Sequence, residues 1–424
     1  MIAFAVHTLG CRVNQSESES IEKELIQMGY RRADAGVPAD ICIVNTCTVT
    51  QRASMQSRQL IRQIIRANPA AKVIVTGCYA QTEPEVVRRI PGVHRVVDND
   101  AKSRIPDNFL RMSGVCDDKR VSESAEGGMR RRSRPFLKIQ DGCDAFCSYC
   151  IVPYARGRSR SISPESVLST LAEYRDSGCH EVVLTGIHMG RYGRDLTPET
   201  SLSGLVRTME AARLMDRIRL SSIEPLEITD DIIDLVAVSP MFCHHFHIPL
   251  QSGDNDILKR MNRPYTRDVF HHVVSRIHDR IPDAAIGADV LVGFPGESEA
   301  AYENTLALLR ELPITYLHVF PFSPRKGTLA CGFPDPVPTG VIQSRCRELR
   351  AFGKARREAF YRRHIGMSVT ALIEPHRDRH SGLFKGMTSN YIPVFIDVGS
   401  PVPNTLTMVE ITGCDGDRVS GRAL

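Results

Sequence analysis

Between residues 136 and 320 the sequence alternates six short apolar, strand-like runs with helical patterns, and few folds accept such an alternation. The runs are 136–140, 181–185, 218–222, 246–248, 285–292 and 315–320, with helical patterns such as 164–175 and 299–312 between them. A strand followed by a helix and another strand pairs in parallel, because the connection must cross back over the sheet. Six such units predict a partial (β/α)6 barrel, with its chemistry at the carboxyl ends of the strands. Ser163 before Pro164 marks one helix start, the serine as cap and the proline in the first turn.

The first hundred residues alternate in the same way. Strands are expected at 2–6, 41–44 and 72–75, helices at 17–28 and 52–67, and a further helix beginning at 85. This pattern predicts a doubly wound parallel sheet. From about residue 100 periodicity fades into a linker that ends in Arg130-Arg131-Arg132-Ser133-Arg134. Beyond the barrel, Arg345, Arg347, Arg350, Lys354, Arg356, Arg357, Arg362 and Arg363 face only Glu348 and Glu358 on one basic helix. The last sixty residues turn to short strands, 368–373 and 392–396 among them, with Gly and Asn turns that suit a small β-barrel. The expected class is α/β: an N-terminal doubly wound sheet (1–115), a linker (116–134), a partial barrel (135–345), a basic helix (346–362) and a small β-barrel (363–424).

The chain has 424 residues, 42% hydrophobic and 24% charged, with a net charge of +5 that decides nothing about partners. No apolar run reaches the ~18–20 residues of a membrane span. The first residues carry no basic stretch ahead of an apolar one, so no signal peptide is expected and the expected location is the cytoplasm. Thirteen cysteines are many for that compartment, where clustered thiols mean metal or catalysis more often than disulfides.

Two cysteine patterns stand out. Cys143, Cys147 and Cys150 lie on one loop directly after the first barrel strand, spaced by three and then two residues. Three thiolates can hold three irons of a 4Fe–4S cluster and leave the fourth open, as a chelating substrate requires. A zinc knuckle would want four ligands, usually as two short pairs. In the N-terminal sheet, Leu9-Gly10-Cys11, Asn45-Thr46-Cys47 and Thr76-Gly77-Cys78 each set a cysteine just past a strand. Parallel strands end at one edge, so three cysteines 36 and 31 residues apart can converge in the crevice where such sheets bind ligands. The other seven cysteines, at 42, 116, 179, 243, 331, 346 and 414, lack such spacing and read as bystanders; Cys42 lies mid-strand and points into the sheet.

The Cys143 loop resembles the radical S-adenosylmethionine superfamily, which implies S-adenosylmethionine chelated to the open iron and cleaved to a 5′-deoxyadenosyl radical. The resemblance puts Tyr149 close to the adenine. Together, the two cysteine sets and the terminal barrel resemble the methylthiotransferase family over nearly the whole chain. Residues 8–15, Thr-Leu-Gly-Cys-Arg-Val-Asn-Gln, carry the likeness, as do 136–143, Phe-Leu-Lys-Ile-Gln-Asp-Gly-Cys, and 151–161. Cys-Arg-Val-Asn together with Lys-Ile-Gln-Asp-Gly-Cys is most similar to the branch acting on threonylcarbamoyl-adenosine beside the tRNA anticodon. Branches acting on isopentenyl-adenosine or on a ribosomal-protein aspartate differ after the first cysteine and are the alternatives; an RNA-binding iron–sulfur sensor without turnover is the alternative of another class.

The resemblance implies two 4Fe–4S clusters, two S-adenosylmethionine molecules per turnover, a reducing electron-donor protein, and tRNA bound through an RNA-binding barrel called TRAM. One methyl group goes to a sulfur held at the Cys11/Cys47/Cys78 cluster, and the radical from the Cys143/Cys147/Cys150 cluster takes hydrogen from carbon 2 of the adenine. The sulfur donor is not legible in the residues. Gly186, Glu224, Gln251 and Asp289, at the same ends of successive barrel strands, are candidate S-adenosylmethionine contacts, each also readable as a loop or capping residue. Gly293-Phe294-Pro295-Gly296-Glu297 reads as a ligand-approaching turn or only a tight one. His244, His245 and His247 invite a metal reading, but satisfied barrel histidines are expected. RNA binding rests on the basic run, the basic helix and the barrel, whose own six Lys+Arg and six Asp+Glu provide no net attraction for phosphate.

Overall fold

Buried apolar residues alternate between two sets along the N-terminal strands, and this places a helix layer on each face of their sheet. A computed structural model describes residues 2–34, 36–109 and 132–424. The expected linker, Cys116 and the start of the basic run therefore lie outside the described residues, apart from 132–134. The chain divides into two units, the first comprising 1–131, 141–159 and 323–331, the second the remainder.

In the first unit, β1 (Ala3–Thr8), β2 (Arg31–Arg32), β3 (Ile41–Thr46), β4 (Lys72–Gly77) and β5 (Val93–Val96) form one parallel sheet in the order β2-β1-β3-β4-β5. Every residue of β3 is buried, as expected for a central strand covered on both faces. Ile41, Ile43 and Ile74 pack on one side with Ile21, Leu25 and Phe109. Cys42, Val44, Val73 and Val75 pack on the other with Ile61, Ile64, Tyr79 and Val87. Sequence reading missed β2 and β5, one too short and the other too polar to show a period. The helix Gln51–Ala67 starts where the Thr50 side chain accepts a hydrogen bond from Ala53 N–H.

The second unit contains six parallel barrel strands: β6 (Phe136–Lys138), β9 (Glu181–Thr185), β10 (Arg217–Leu220), β11 (His245–Gln251), β12 (Ala285–Val292) and β13 (Tyr316–Pro321). A short pair, β7 (Gln140–Asp141) and β8 (Arg160–Ser161), follows the first of them. The six strands run as two triplets, β10-β9-β6 and β11-β12-β13, joined by isolated bridges at Ile218–Phe242 and Ser222–His247. Phe246, Ile248 and Leu250, with Ile286, Ala288, Val290 and Val292, join the core. Alternation then turns His247, Gln251, Asp289, Tyr316, His318 and Phe320 to the opposite face.

The last strands, β14 (Ser368–Ile373), β15 (Phe384–Thr388), β16 (Pro393–Val398), β17 (Leu406–Asp415) and β18 (Arg418–Ala423), close into a barrel in the order β14-β15-β16-β18-β17. Two buried arginines of β10 anchor it. Arg219 donates to Ser389 O (2.8 Å), Thr388 O (2.9 Å) and Glu181 Oε1 (2.9 Å). Arg217 donates to Met387 O (3.2 Å) and Thr370 O (2.5 Å). Phe360 and Tyr361, near the end of the helix Thr339–Arg362, pack into the barrel's core.

That helix spends much of its charge internally. Arg345 pairs with Glu297 and Glu299, Arg357 with Asp417 and Arg362 with Glu358, while Arg350 and Arg356 donate to carbonyls of Val319 and Leu312. Arg347 and Lys354 are among the residues of the helix that stay exposed. Among the described residues, no helix is long and apolar enough to cross a membrane.

Replacing Arg219 by Leu leaves the fully buried Glu181 carboxylate short of a partner. The expected cost is about 3–5 kcal/mol, and Arg219→Leu with Glu181→Leu should recover much of it. Parallel urea unfolding of the two variants measures the difference.

Candidate metal centre

The carboxyl edge of the N-terminal sheet brings Cys11, Cys47 and Cys78 together. Their strands are neighbours in near-level register, Thr8 opposite Asn45, Asn45 opposite Thr76 and Thr46 opposite Gly77. Cys11 caps the helix Arg12–Gln27, and Cys78 begins the helix Cys78–Thr82. Two glycines permit the approach. A Cβ on Gly10 would come within 2.8 Å of Cys47 Cβ and 3.1 Å of its Sγ. Gly77, at φ +95°, would set a Cβ 2.4 Å from the Thr46 carbonyl oxygen.

Burial pushes the Cys47 thiol up to about 11; backbone hydrogen bonds from Val49 and Thr48 oppose this, and negative charge at Cys78 and Cys11 adds to it. Burial also raises Cys78, against the pull of Arg156 and Lys102. The three thiols thus lie within electrostatic reach of one another, and none is in a disulfide.

The second set lies on the loop 143–150, in the same unit, and all three of its thiols are half-buried. Cys143 N–H donates to Gly157 O (3.0 Å), and Cys150 N–H to Cys147 O (2.9 Å). Ala145 N–H points at Cys143 Sγ (3.4 Å), the kind of contact that stabilises a metal-bound thiolate. Ser148 O accepts from Ala330 N–H (2.7 Å), so the returning segment 323–331 holds the loop from outside. The half-buried Tyr149 lies within it, and the short helix Val152–Arg156 follows.

The other predicted residues lie along the barrel strands of the second unit. Gly186 follows β9 beside Gln140, whose Oε1 accepts from His188 N–H (2.7 Å). Burial raises the Glu224 carboxyl, against the pull of Arg263, with which it forms an ion pair. Gln251 ends β11 at φ +65°. Burial opposes the charge on Asp289, yet His247 (3.0 Å) and His318 (3.2 Å) hold its carboxyl well below the usual range.

The metal reading of His244, His245 and His247 gives way to separate partners: Asp283 for His244, the Tyr316 hydroxyl for His245 and Asp289 for His247. The cluster geometry does show is His247, Asp289 and His318, with ligand atoms within 4.8 Å of one another. His318 carried no motif and was missed. In the Gly293–Glu297 turn, Gly293 abuts Ile342 and Glu297 pairs with Arg345. Cys42 is buried in the sheet as expected.

Two family descriptions match the chain: an uncharacterized protein family, UPF0004, over residues 3–98, and the radical SAM superfamily over 137–309. The threonylcarbamoyladenosine tRNA methylthiotransferase MtaB of Bacillus subtilis is 38% identical over 93% of this chain and 90% of its own length. That of Chlamydia pneumoniae is 36% identical over 99% and 97%. The chain belongs to the radical SAM methylthiotransferases. A tRNA-2-methylthio-N(6)-dimethylallyladenosine synthase of Clostridium botulinum, in the same family, is 33% identical over 82% of this chain and 80% of that protein. Among solved structures, the radical S-adenosylmethionine methyltransferase TsrM of Kitasatospora setae shares the fold at a TM-score of 0.57. The match has 15% identity and covers 76% of this chain and 73% of that one. The superfamily uses a 4Fe–4S cluster and S-adenosylmethionine, and the free, clustered thiols suit the cluster.

In cluster-free protein, iodoacetamide should alkylate Cys47 slowly at neutral pH. The rate should keep rising to about pH 11, because only the thiolate reacts. Peptide mass spectrometry against pH measures it. Because thiols must lose protons to bind a metal ion, the affinity of this edge for added iron should weaken as pH falls.

Proposed function

We propose that this enzyme places a methylthio group on carbon 2 of threonylcarbamoyl-adenosine beside the anticodon of tRNA, with two 4Fe–4S clusters. The observation that carries the reading is the pair of three-cysteine sets, each able to leave one iron without a protein ligand. Cys143, Cys147 and Cys150 hold the cluster that meets S-adenosylmethionine; Cys11, Cys47 and Cys78 hold the other. When bound, these groups supply the electron that releases a 5′-deoxyadenosyl radical and the site from which sulfur is delivered, chemistry no side chain provides at ordinary pKa values.

The chain's own part is binding and orientation. Tyr149 contributes a half-buried ring beside the Cys143–Cys150 set. Gly186, Glu224, Gln251 and Asp289 contact the cofactor from the barrel. Tyr316, His318 and Phe320 follow one another on a single face of β13, with His318 and Phe320 exposed, and exposed rings of this kind suit stacking against a nucleobase. Two S-adenosylmethionine molecules are used per turnover, and a reducing protein of the cytoplasm supplies electrons. The activity for which the MtaB relatives are named supports the substrate, and the synthase relatives make isopentenyl-adenosine the second reading.

Nucleosides of tRNA from a strain lacking the gene should lose 2-methylthio-threonylcarbamoyl-adenosine, and complementation should restore it. Retention of that nucleoside with loss of the isopentenyl counterpart would select the second reading. Reconstituted protein should carry about eight irons, falling to about four when either cysteine set is changed to Ala.

A further inference from the structure

Arg156 is the end of the helix that follows the Cys143–Cys150 loop, yet its guanidinium is spent on the other cysteine set. It is 3% exposed. Nη1 donates to Glu17 Oε1 (2.9 Å) and Asp141 Oδ1 (2.8 Å), and Nη2 to Glu17 Oε2 (3.3 Å) and the Asn14 side-chain oxygen. Asn14 and Glu17 lie in the first turns of the helix that Cys11 caps. From its other end Asn14 donates to Leu9 O (2.8 Å) and Thr46 O (3.0 Å), carbonyls two residues before Cys11 and one before Cys47. One buried side chain thus connects the Cys143 loop to the two turns that present Cys11 and Cys47. Lys102, also 3% exposed, completes the group by donating to Glu17 Oε2 (2.6 Å), and both cations attract negative charge at Cys78.

Stability does not account for this arrangement. Four charged groups, Arg156, Lys102, Glu17 and Asp141, are withdrawn from water where well-packed apolar residues would do as well or better. Such a network gains its use from geometry and field. The planar fork of arginine fixes direction as well as distance, which a lysine cannot reproduce.

We propose that Arg156 is a positioning residue of the reaction. Through Asn14 it holds the two cysteine sets in one fixed arrangement, and with Lys102 it supplies positive charge to the strand-end set. The inference rests on the reading that both sets hold clusters. Radical formation needs only the Cys143 set, whereas product needs both sets in register, so losing the fork separates the two outputs.

Arg156→Lys should keep both clusters and still cleave S-adenosylmethionine. Its methylthio product per 5′-deoxyadenosine should fall by roughly 10–100-fold, the scale expected for a small misplacement of reacting groups. Lys102→Met should make the strand-end cluster harder to reduce. The readout is an electron-paramagnetic-resonance potential titration in a background with Cys143, Cys147 and Cys150 changed to Ala. A wild-type product ratio in iron-replete Arg156→Lys overturns the proposal. Should that variant not retain iron, an unmoved potential in Lys102→Met overturns it instead. Failure of the underlying reading looks different, for then the unaltered enzyme itself carries about four irons or makes no methylthio product.

Discussion

Parallel strands discharge their chains at one edge, and the chemistry of the first unit depends on that restriction. β1, β3 and β4 are adjacent and level, so three turns far apart in sequence meet without any long loop to order. Convergence brings its own difficulty, because Cys47 and Cys78 are buried, Cys11 is exposed beside them, and burial disfavours the thiolate form of the two buried thiols. Gly10 and Gly77 give the backbone room to close in, and Arg156 with Lys102 provides compensating charge. Glu17 and Asp141 then keep those cations from being buried alone.

In the second unit the apolar side of the barrel strands is covered by helices, and alternation leaves imidazoles, carboxylates and aromatic rings on the other side. His247 and His318 both lie against the Asp289 carboxylate there, 3.0 Å and 3.2 Å from it. The terminal β-barrel is held by carbonyl acceptors for Arg217 and Arg219 rather than by an apolar contact alone. Cations of the Thr339–Arg362 helix that would suit phosphate in isolation are largely committed to ion pairs and carbonyls within the unit. A basic run in sequence is a count of charges, and only packing decides which remain available.

The parallel sheets were legible in short apolar runs separated by helical patterns, and the closed terminal barrel in short strands set off by Gly and Asn turns. The expected Glu181–Thr185 and Ala285–Val292 strands carry near-continuous apolar runs and occur with those bounds. Arg31–Arg32 and Val93–Val96 were illegible, since neither contains enough residues of one face to show a period. Cys11, Cys47 and Cys78 could be grouped from the sequence, because following a parallel strand is itself a spatial address. Arg156, Asn14, Lys102 and His318 had no such address. Their partners are tens to more than a hundred residues away and are of types common on any surface.

By itself, then, the sequence determined the order of the elements, the direction of the strands and therefore the sheet edge at which Cys11, Cys47 and Cys78 lie. These follow from periods of two and 3.6 residues and from chain connectivity, which are local properties. Tertiary structure alone decided which charges were buried, with what partners, and which cations of the Thr339–Arg362 helix were committed to ion pairs and carbonyls. Those outcomes depend on desolvation and on hydrogen bonds between residues remote in sequence, so no local pattern encodes them. Arg156 belongs to the second kind: its place in the motif was visible, but its hold on Asn14 and Glu17 was not.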